Sequence, residues 1–301
     1  MYLYDIVILT EERYFNPKIK NWYINQVLLE DTLLQNALEK YKLKVCRRDW
    51  ADKKFDFTKC RYAIFRTTWD YFDRFNDFFS WIEKTKKHTK FINSADIINW
   101  NIDKHYLKDL KNKNINIAKT EFIEKNTKIS LIELLERFRF KKAIIKPAIS
   151  GAARHTYLVN KNNYKDYENI FQKLLKSECM LFQEYMFNIS EGEISLIMIG
   201  NEFTHAVKKT AKKGDFRVQD DHGGKVEIYN PNKHEIKFAK ECLKAIPFSP
   251  LYSRIDIIYD NNNKPSLAEI ELIEPELWFR NNPSAADKLA YHINNIIKKE
   301  L

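Results

Sequence analysis

Glycine is scarce in this sequence: six glycines occur among 301 residues. None of them belongs to a Gly-x-x-x-x-Gly-Lys-Ser/Thr or a Gly-x-Gly-x-x-Gly segment, so neither a P-loop nor the dinucleotide-binding fingerprint is present. Gly151 follows a Lys-Pro pair, Gly192 precedes Glu193, and Gly223 and Gly224 end a basic segment. Glycines this sparse indicate backbone positions that need unusual dihedral angles or close approach to another group.

Long apolar runs and paired cysteines are also missing. No segment approaches the length that spans a bilayer, and residues 1–9 have neither a basic leader nor a small-residue cleavage site. Residues 4–9 instead predict a buried strand, and we expect a cytoplasmic protein. The cysteines have no metal-like spacing, which favours free thiols in a reducing compartment. They are Cys46, Cys60, Cys179 and Cys242.

The composition is that of an ordinary globular protein, with 44% hydrophobic and 31% charged residues. A chain of this length buries a large core and divides into two or three units. The formal net charge is +10, but the lysines are spread along the chain. We therefore expect neither a nucleic-acid nor a membrane partner, and a homodimer is left open.

The pattern of apolar residues predicts two kinds of architecture. Strands near 4–9, 43–47, 61–66 and 91–92 alternate with helices near 22–41 and 74–87, which predicts a small parallel α/β unit. A helical stretch from 96 to 114 follows, and then strands and helices typical of an α+β region with mostly antiparallel pairing. We expect three units, at residues 1–95, 96–186 and 187–301.

Two acidic segments near the C-terminus lie in apolar, β-branched runs. Residues 251–259 carry Arg254-x-Asp256, residues 266–273 carry Glu269-x-Glu271, and a polar turn separates them. This pattern predicts an antiparallel hairpin in which each pair shares one face of its strand. Three carboxylates in such a place would resist ionisation unless a cation joined them, and oxygen ligands suit Mg²⁺. The alternative is a solvated edge hairpin with incidental acids.

Two further side chains are candidates for binding a ligand, and each also has an ordinary structural explanation. Lys146 ends an apolar strand, where it needs an anionic or acceptor partner, unless its ammonium group reaches solvent. Glu193 follows the strand segment 181–186, where a carboxylate can accept hydrogen bonds from two sugar hydroxyls. Its alternative is an ordinary acid on a surface strand.

Taken in order, these segments resemble the ATP-grasp superfamily. The resemblance rests on Trp100–Lys104, Ile145–Pro147, Gln183–Met186 with Glu193, and the two acidic segments. Residues 206–224 resemble the Gly-Asp-Phe-Arg…Gly-Gly loop of glutathione-synthetase and RimK-type ligases. Residues 49–50, 66–71 and 273–277 resemble the branch that contains the cycloserine-forming ligase. The implied fold is a small parallel α/β domain followed by two α+β subdomains that clasp ATP.

The resemblance also implies roles. Lys104 and Lys146 would bind the phosphates of ATP, and a closing loop with Ser150, Gly151 and Arg154 would cover them. The adenine would be bound by Gln183, Glu184, Tyr185 and Met186. Glu193 would bind the ribose. Asp256, Glu269 and Glu271 would bind two Mg²⁺ ions, with Mn²⁺ as the alternative ion. Arg217 and Arg254 would stabilise the transferred phosphoryl group. Glu271 stands where many relatives have Asn, and the loop has one glycine where relatives often have more.

The substrate would lie between the N-terminal domain and the last loop. Arg66, Trp69 and Asp70 lie at the end of a predicted strand, where α/β sheets commonly bind ligands, and Arg280 and Asn282 form the opposite wall by analogy. Arg66 could bind a substrate carboxylate with its guanidinium fork. The alternative is that Trp69 and Tyr71 pack beneath the following helix.

These features together favour an ATP-dependent carboxylate–amine ligase. It would activate a carboxylate as an acyl phosphate for attack by an amine or a similar nucleophile, on a small amino-acid-like or peptide substrate. Two alternatives remain open. One is a kinase of the same fold that stops after phosphoryl transfer, and the other is a nucleotide- or RNA-binding module without catalysis. The three carboxylates disfavour the binding module, because a pure binder does not need them.

Overall fold

The structure is a computed structural model that describes residues 2–212 and 223–300. Within these residues the strands form three separate sheets. None of the described helices is both long enough and apolar enough to cross a membrane.

The first sheet is entirely parallel, as predicted for the N-terminal region. Its order is β2-β1-β3-β4, and helices cover it. The strands are β1 (Tyr4–Thr10), β2 (Val45–Asp49), β3 (Cys60–Thr67) and β4 (Lys90–Ile92), and the helices are α1 (Glu12–Phe15), α2 (Trp22–Glu39) and α3 (Phe75–Thr85), with a 3₁₀ turn at Phe57–Lys59. Ile6 and Ile8 face one side of the sheet and Val7 and Leu9 the other, and all four are fully buried.

The predicted helix-rich stretch over 96–114 consists of two helices. They are α4 (Ala95–Asn101) and α5 (Tyr106–Asn112). The break follows from Asp103, whose carboxylate accepts a hydrogen bond from the backbone N–H of His105 at 2.9 Å. Such a local side-chain bond competes with the helical ladder. The break releases Lys104 from a helical position.

The second sheet is antiparallel and has a core of its own. Its order is β5-β8-β6-β7, and α6 (Leu131–Phe138) and α7 (Tyr164–Leu175) pack against it. The strands are β5 (Thr120–Ile123), β6 (Ala143–Pro147), β7 (Tyr157–Val159) and β8 (Met180–Glu184). The buried residues of this core all lie between Ile123 and Phe182.

The third sheet is also antiparallel, in the order β11-β10-β9-β12-β13. Its elements are β9 (Glu193–Ile199), β10 (Glu202–Thr210), β11 (Lys225–Tyr229), β12 (Tyr252–Tyr259), β13 (Pro265–Glu271), α8 (Lys233–Ala245) and α9 (Ser284–Lys299), preceded by a 3₁₀ turn at Phe187–Glu191. The strands β12 and β13 are the predicted hairpin, which is thereby confirmed. Ile197 packs on the side of α2 and α9, whereas Leu196 packs on the side of α5 and α8, so the sheet is covered on both faces.

The N-terminal sheet is joined directly to the acidic hairpin. The Asn93 amide donates to the carbonyls of Tyr252 and Leu272 at 3.0 and 2.8 Å and accepts from the N–H of Leu251 at 2.5 Å. The hydroxyl of Tyr252 donates to the carbonyl of Ile273 at 2.6 Å. These buried bonds fix the hairpin relative to the ends of the parallel strands.

Candidate active site

A cavity of about 680 Å³ is lined by most of the predicted site residues. The acidic hairpin and β9–β10 form its floor, β6 and β8 of the second sheet form one side, and the segment after β3 forms the other. Among the described residues that line it, eight are acidic and six are cationic. The cavity is therefore highly charged and slightly acidic overall.

The hairpin brings the predicted metal ligands together on one face. Arg254 lies opposite Glu271 and Asp256 lies opposite Glu269 in the β12–β13 register. All four side chains line the cavity, and Asp256 is 1% exposed. The alternative of a solvated edge hairpin is therefore wrong.

Each of these carboxylates is bonded to a cation of the protein. Arg254 donates to Asp256 at 2.9–3.1 Å and also to Glu271. The ammonium group of Lys104 lies 3.0 Å from Glu269, and that of Lys209 lies 3.0 Å from Asp256. The acids of the hairpin are thus neutralised in pairs across the cavity floor.

The carboxyl groups differ in pKa because nearby cations offset the effect of burial to different degrees. Burial would raise the pKa of Glu269, but Lys104 and Lys146 outweigh it and lower that pKa. Burial raises the pKa of Glu271 to about 7, although Arg254 opposes the shift. Burial also raises the pKa of Glu274, at the edge of the same floor, to about 8. The site therefore holds both ionised carboxylates and carboxyls that are half protonated near neutral pH.

The donor set of the hairpin fits Mg²⁺. Asp256, Glu269 and Glu271 present only carboxylate oxygens, which are the ligands that this ion prefers, often together with phosphate oxygens. Their oxygen atoms do not all lie within 4.8 Å of one another: Glu269 pairs with Lys104, whereas Asp256 and Glu271 share Arg254. A bound divalent ion would take over the role of counter-charge from these ammonium and guanidinium groups.

Several of the predicted nucleotide-binding residues line the side of the cavity formed by the second sheet, whereas Glu193 lies on the floor at the start of β9. Lys146 projects from the end of β6, and no described carboxylate forms an ion pair with it. Burial lowers the pKa of Lys146, although Glu269 opposes the shift. Gln183, Glu184, Tyr185 and Met186 follow one another along the same wall. Glu193 has a side chain that is 13% exposed, so it is not the surface acid of the alternative interpretation.

The predicted closing loop lies at the mouth of the cavity. The backbone carbonyl of Ser150 accepts a 2.5 Å hydrogen bond from the Lys104 ammonium group, and Arg154 pairs with Glu178 at 2.8 Å. A Cβ atom at Gly151 would lie 2.6 Å from the ring of Phe72, so this glycine permits close packing on the N-terminal domain. Three neighbouring non-glycine residues have positive φ angles near 50°: Ala152, Ala153 and His155. This conformation costs about 1–2 kcal/mol at each such residue.

The wall expected to hold the substrate has one of its five predicted residues at the cavity. Trp69 lines the cavity, and its indole N–H donates to the carbonyl of Glu274 at 2.9 Å. Tyr71 also lines it, but this ring stacks on Phe78 at 4.9 Å, so the alternative of packing beneath α3 is correct for Tyr71. Trp278 completes the wall.

Four residues predicted for this wall do not line the cavity, and Arg66 needs the largest correction. Its side chain is 1% exposed and pairs with Glu30 at 2.7 Å, because the buried guanidinium requires a buried counter-charge. Asp70 accepts from the Trp50 indole at 2.7 Å and pairs with Arg74. Arg280 pairs with Glu276, and Asn282 donates to the carbonyl of Thr204 at 3.4 Å. These side chains support the wall from behind.

One predicted residue lies outside the described part of the chain, and one site residue was missed. Arg217 falls within 213–222, which the structure does not describe. Lys209 belongs to a lysine-rich segment and was not singled out, yet it is 5% exposed and bonds to both Glu193 and Asp256. No local pattern distinguishes Lys209 from Lys208 in the sequence, because only the β9–β10 register places Lys209 opposite Glu193.

Comparison with known proteins is consistent with this geometry. The family model described as RimK-like ATP-grasp domain matches residues 103–273, and the N-terminal domain model of D-cycloserine synthetase DcsG matches residues 6–93. The cycloserine biosynthesis protein DcsG of Streptomyces lavendulae is 21% identical over 253 residues, which are 78% of this chain and 82% of that protein. The crystal structure of D-cycloserine synthetase DcsG has a TM-score of 0.84 at 18% identity over 96% of this chain and 98% of that one. D-alanine–D-alanine ligase from Bacillus anthracis has a TM-score of 0.67 at 13% identity over 99% of both chains.

Proposed function

Because the chain belongs to the RimK-like ATP-grasp family, we propose that it is an ATP-dependent ligase of carboxylates and amines. The carboxylate would attack the γ-phosphorus of ATP to give an acyl phosphate and ADP. An amine or a similar nucleophile would then attack the acyl carbon and release phosphate. The observation that carries this proposal is the floor of the cavity, where three carboxylates face Arg254, Lys104 and Lys209.

We assign the nucleotide to the side of the second sheet. Lys146 and Lys104 would bind its phosphates, Gln183–Met186 its adenine, and Glu193 its ribose. Lys146 is suited to this role because it has a buried ammonium group without a described ionic partner. Ser150, Gly151 and Arg154 would cover the phosphates, and Arg217 and Arg254 would stabilise the transferred phosphoryl group.

The charge of the cavity supports a requirement for divalent cations. Eight acidic and six cationic side chains give the described lining a formal charge of minus two before any nucleotide binds. A triphosphate adds further negative charge, which the acidic side chains of the lining would repel unless cations compensated it. We therefore assign two Mg²⁺ ions to Asp256, Glu269 and Glu271. Bound there, Mg²⁺ would supply the positive charge that neutralises the phosphates.

The substrate wall favours a small amino-acid-like or peptide substrate. Trp69, Trp278 and Tyr71 give it aromatic surface, and Glu274 and Glu276 give it carboxylates that suit an amine. The relatives include a D-cycloserine synthetase and a D-alanine–D-alanine ligase, whose names refer to small amino-acid-like molecules. We propose a carboxylate substrate bound near Arg254, with the nucleophile on the side of Glu274.

The test measures ADP, phosphate and product with pairs of amino acids and small peptides in the presence of ATP and Mg²⁺. A ligase releases phosphate only when both a carboxylate and a nucleophile are present. ADP together with a stable phosphorylated product would instead identify a kinase. A failure of ATP with Mg²⁺ to raise the melting temperature would contradict both.

The site assignment is tested with Asp256→Asn combined with Glu269→Gln. This variant should lose the Mg²⁺-dependent rise in melting temperature given by ATP. The matched control is Glu241→Gln, an exposed acid on α8 outside the cavity, which should behave as the unaltered chain. Normal ATP turnover by the double variant would disprove the assignment of the metal ligands.

A further inference from the structure

A histidine, a glutamate and a cysteine lie close together outside the cavity. His105 immediately precedes α5, Glu124 follows β5, and Cys179 precedes β8. One potential ligand atom from each lies within 4.8 Å of the other two. None of the three residues lines the cavity, so the group is separate from the proposed magnesium site.

The distances within this group match those of a tetrahedral zinc site. His105 Nε2 lies 3.2 Å from a carboxylate oxygen of Glu124 and 3.7 Å from Cys179 Sγ. Tetrahedral coordination with Zn–N near 2.0–2.1 Å, Zn–O near 2.1 Å and Zn–S near 2.3 Å separates the same atom pairs by about 3.4 and about 3.6 Å. The ligand atoms therefore already stand at nearly the required separations.

The imidazole of His105 is held in the orientation that a metal ligand needs. Its Nδ1 lies 2.6 Å from Asp103 Oδ1, and the ring stacks on Phe122 with centroids 4.5 Å apart. The Asp103 carboxylate is itself fixed by the backbone N–H of His105. A carboxylate on one imidazole nitrogen that leaves the other for the metal is the usual arrangement around protein-bound zinc.

We propose that His105, Glu124 and Cys179 bind one Zn²⁺ ion, with water as the fourth ligand. A set of nitrogen, sulfur and oxygen donors selects zinc over Mg²⁺, which prefers oxygen alone. Binding displaces the thiol proton of Cys179, whose pKa burial raises to about 12 in the metal-free protein. Lys108 lies 3.8 Å from Glu124 and competes with the metal for that carboxylate.

This position links the ion to the phosphate-binding side of the cavity through the backbone. The N–H of Lys104 donates to the carbonyl of Ala148 at 3.0 Å, and the N–H of Ala148 donates to the carbonyl of Cys179 at 2.9 Å. A zinc ion would cross-link the start of α5 to the second sheet at this junction. Zinc binding should therefore raise the melting temperature of the full chain, and the stabilisation should grow with the logarithm of the ratio of free zinc to its dissociation constant.

The test titrates Co²⁺ into the full-length protein in excess Mg²⁺, which occupies the acidic hairpin. We expect one equivalent of Co²⁺ to produce thiolate-to-cobalt charge-transfer absorption, and Zn²⁺ to abolish it by displacement. Cys179→Ser should remove this absorption, and Asp103→Asn should weaken Co²⁺ binding about 10–100-fold. His234→Ala, which changes an exposed histidine on α8, is the control and should have no effect.

Lys108→Met gives a test that does not depend on a loss of binding. Removing the competing ammonium group should tighten Co²⁺ binding several-fold, because Glu124 is then free to bind the metal. The proposal is overturned if Co²⁺ gives no charge-transfer absorption, if the absorption persists in Cys179→Ser, or if Lys108→Met leaves the affinity unchanged. Melting curves in a chelator establish that each variant is folded.

Discussion

Replacement of Lys209 by methionine should destabilise the protein through the loss of one buried cation. The ammonium group of Lys209 bonds to Glu193 and lies 3.0 Å from Asp256, and the residue is 5% exposed. Methionine has a similar length and retains the contact with Trp278, whose ring lies 5.9 Å from the ammonium nitrogen. The substitution therefore removes charge with little change in packing volume.

The size of the effect follows from the two carboxylates left behind. Asp256 keeps its bonds to Arg254 at 2.9–3.1 Å, so it stays ionised. Glu193 loses its direct cationic partner, and its pKa, which burial already raises, rises further. From an ordinary pKa of 4.5, protonation at pH 7 costs about 3.4 kcal/mol at about 1.36 kcal/mol per unit. We expect Lys209→Met to lower the free energy of unfolding by about 3–4 kcal/mol at pH 7.

Urea unfolding at several pH values measures this loss. The pKa of Glu193 is raised in the folded variant. The loss in free energy of unfolding relative to the unaltered chain should therefore be largest at pH 7 and should shrink towards pH 4.5. Combining Lys209→Met with Glu193→Gln removes both charges and should recover all but about 1 kcal/mol of the loss. A deficit independent of pH, or a double variant whose loss is the sum of the single losses, would refute this account.

Three further predictions concern the walls of the cavity. Glu30→Gln removes the carboxylate that pairs with the buried Arg66. The free energy of unfolding measured in urea should therefore fall by about 3–5 kcal/mol, and a loss below about 1 kcal/mol would contradict this. Burial lowers the pKa of His205 from 6.5 and keeps its imidazole neutral in the folded protein. As the pH falls below 6.5, the unfolded chain binds a proton at this residue more readily than the folded protein does. The free energy of unfolding should therefore fall by up to about 1.4 kcal/mol per pH unit. His205→Asn should flatten that part of the pH profile, and an unchanged slope would contradict the assignment. Ala153→Gly relieves a positive φ of 54° and should raise the melting temperature by the equivalent of up to about 1 kcal/mol; a decrease would show that the loop has another conformation.

The features that the sequence predicts best are those that local periodicity determines. The hairpin of β12 and β13 is recognisable because apolar and charged residues alternate with a period of two on both sides of a polar turn. The same alternation places Arg254 and Asp256 on one face. The two charged pairs face each other because the turn sets the register of the strands. Their shared face follows from this register, whereas the cavity above that face is formed by the packing of the three sheets.

The features that the sequence does not predict depend on which distant charges meet on folding. Arg66 looks like a substrate ligand because it lies near the end of β3, but its partner Glu30 comes from α2, and no local pattern announces the pair. Lys208 and Lys209 are adjacent and chemically identical in the sequence. Only the register of β10 on β9 buries Lys209 against Glu193. Desolvation therefore decides the role of each charge, and desolvation is a property of the tertiary fold.

Long-range hydrogen bonds join the first and third sheets around one part of the cavity, whereas the second sheet forms another part. Glu30 accepts from the backbone N–H groups of Leu277 and Phe279 at 2.6 and 3.1 Å, which ties the substrate wall of the C-terminal region to α2. Asn93 ties the N-terminal sheet to the acidic hairpin in the same manner. The second sheet, in contrast, has its own core and contributes Lys146 from β6. The three acids of the hairpin thus lie with the first and third sheets, and Lys146, which has no ionic partner among the described residues, lies with the second. Under the proposed function, a nucleotide with divalent cations would bring its phosphates to Lys146 and its metal ions to these acids.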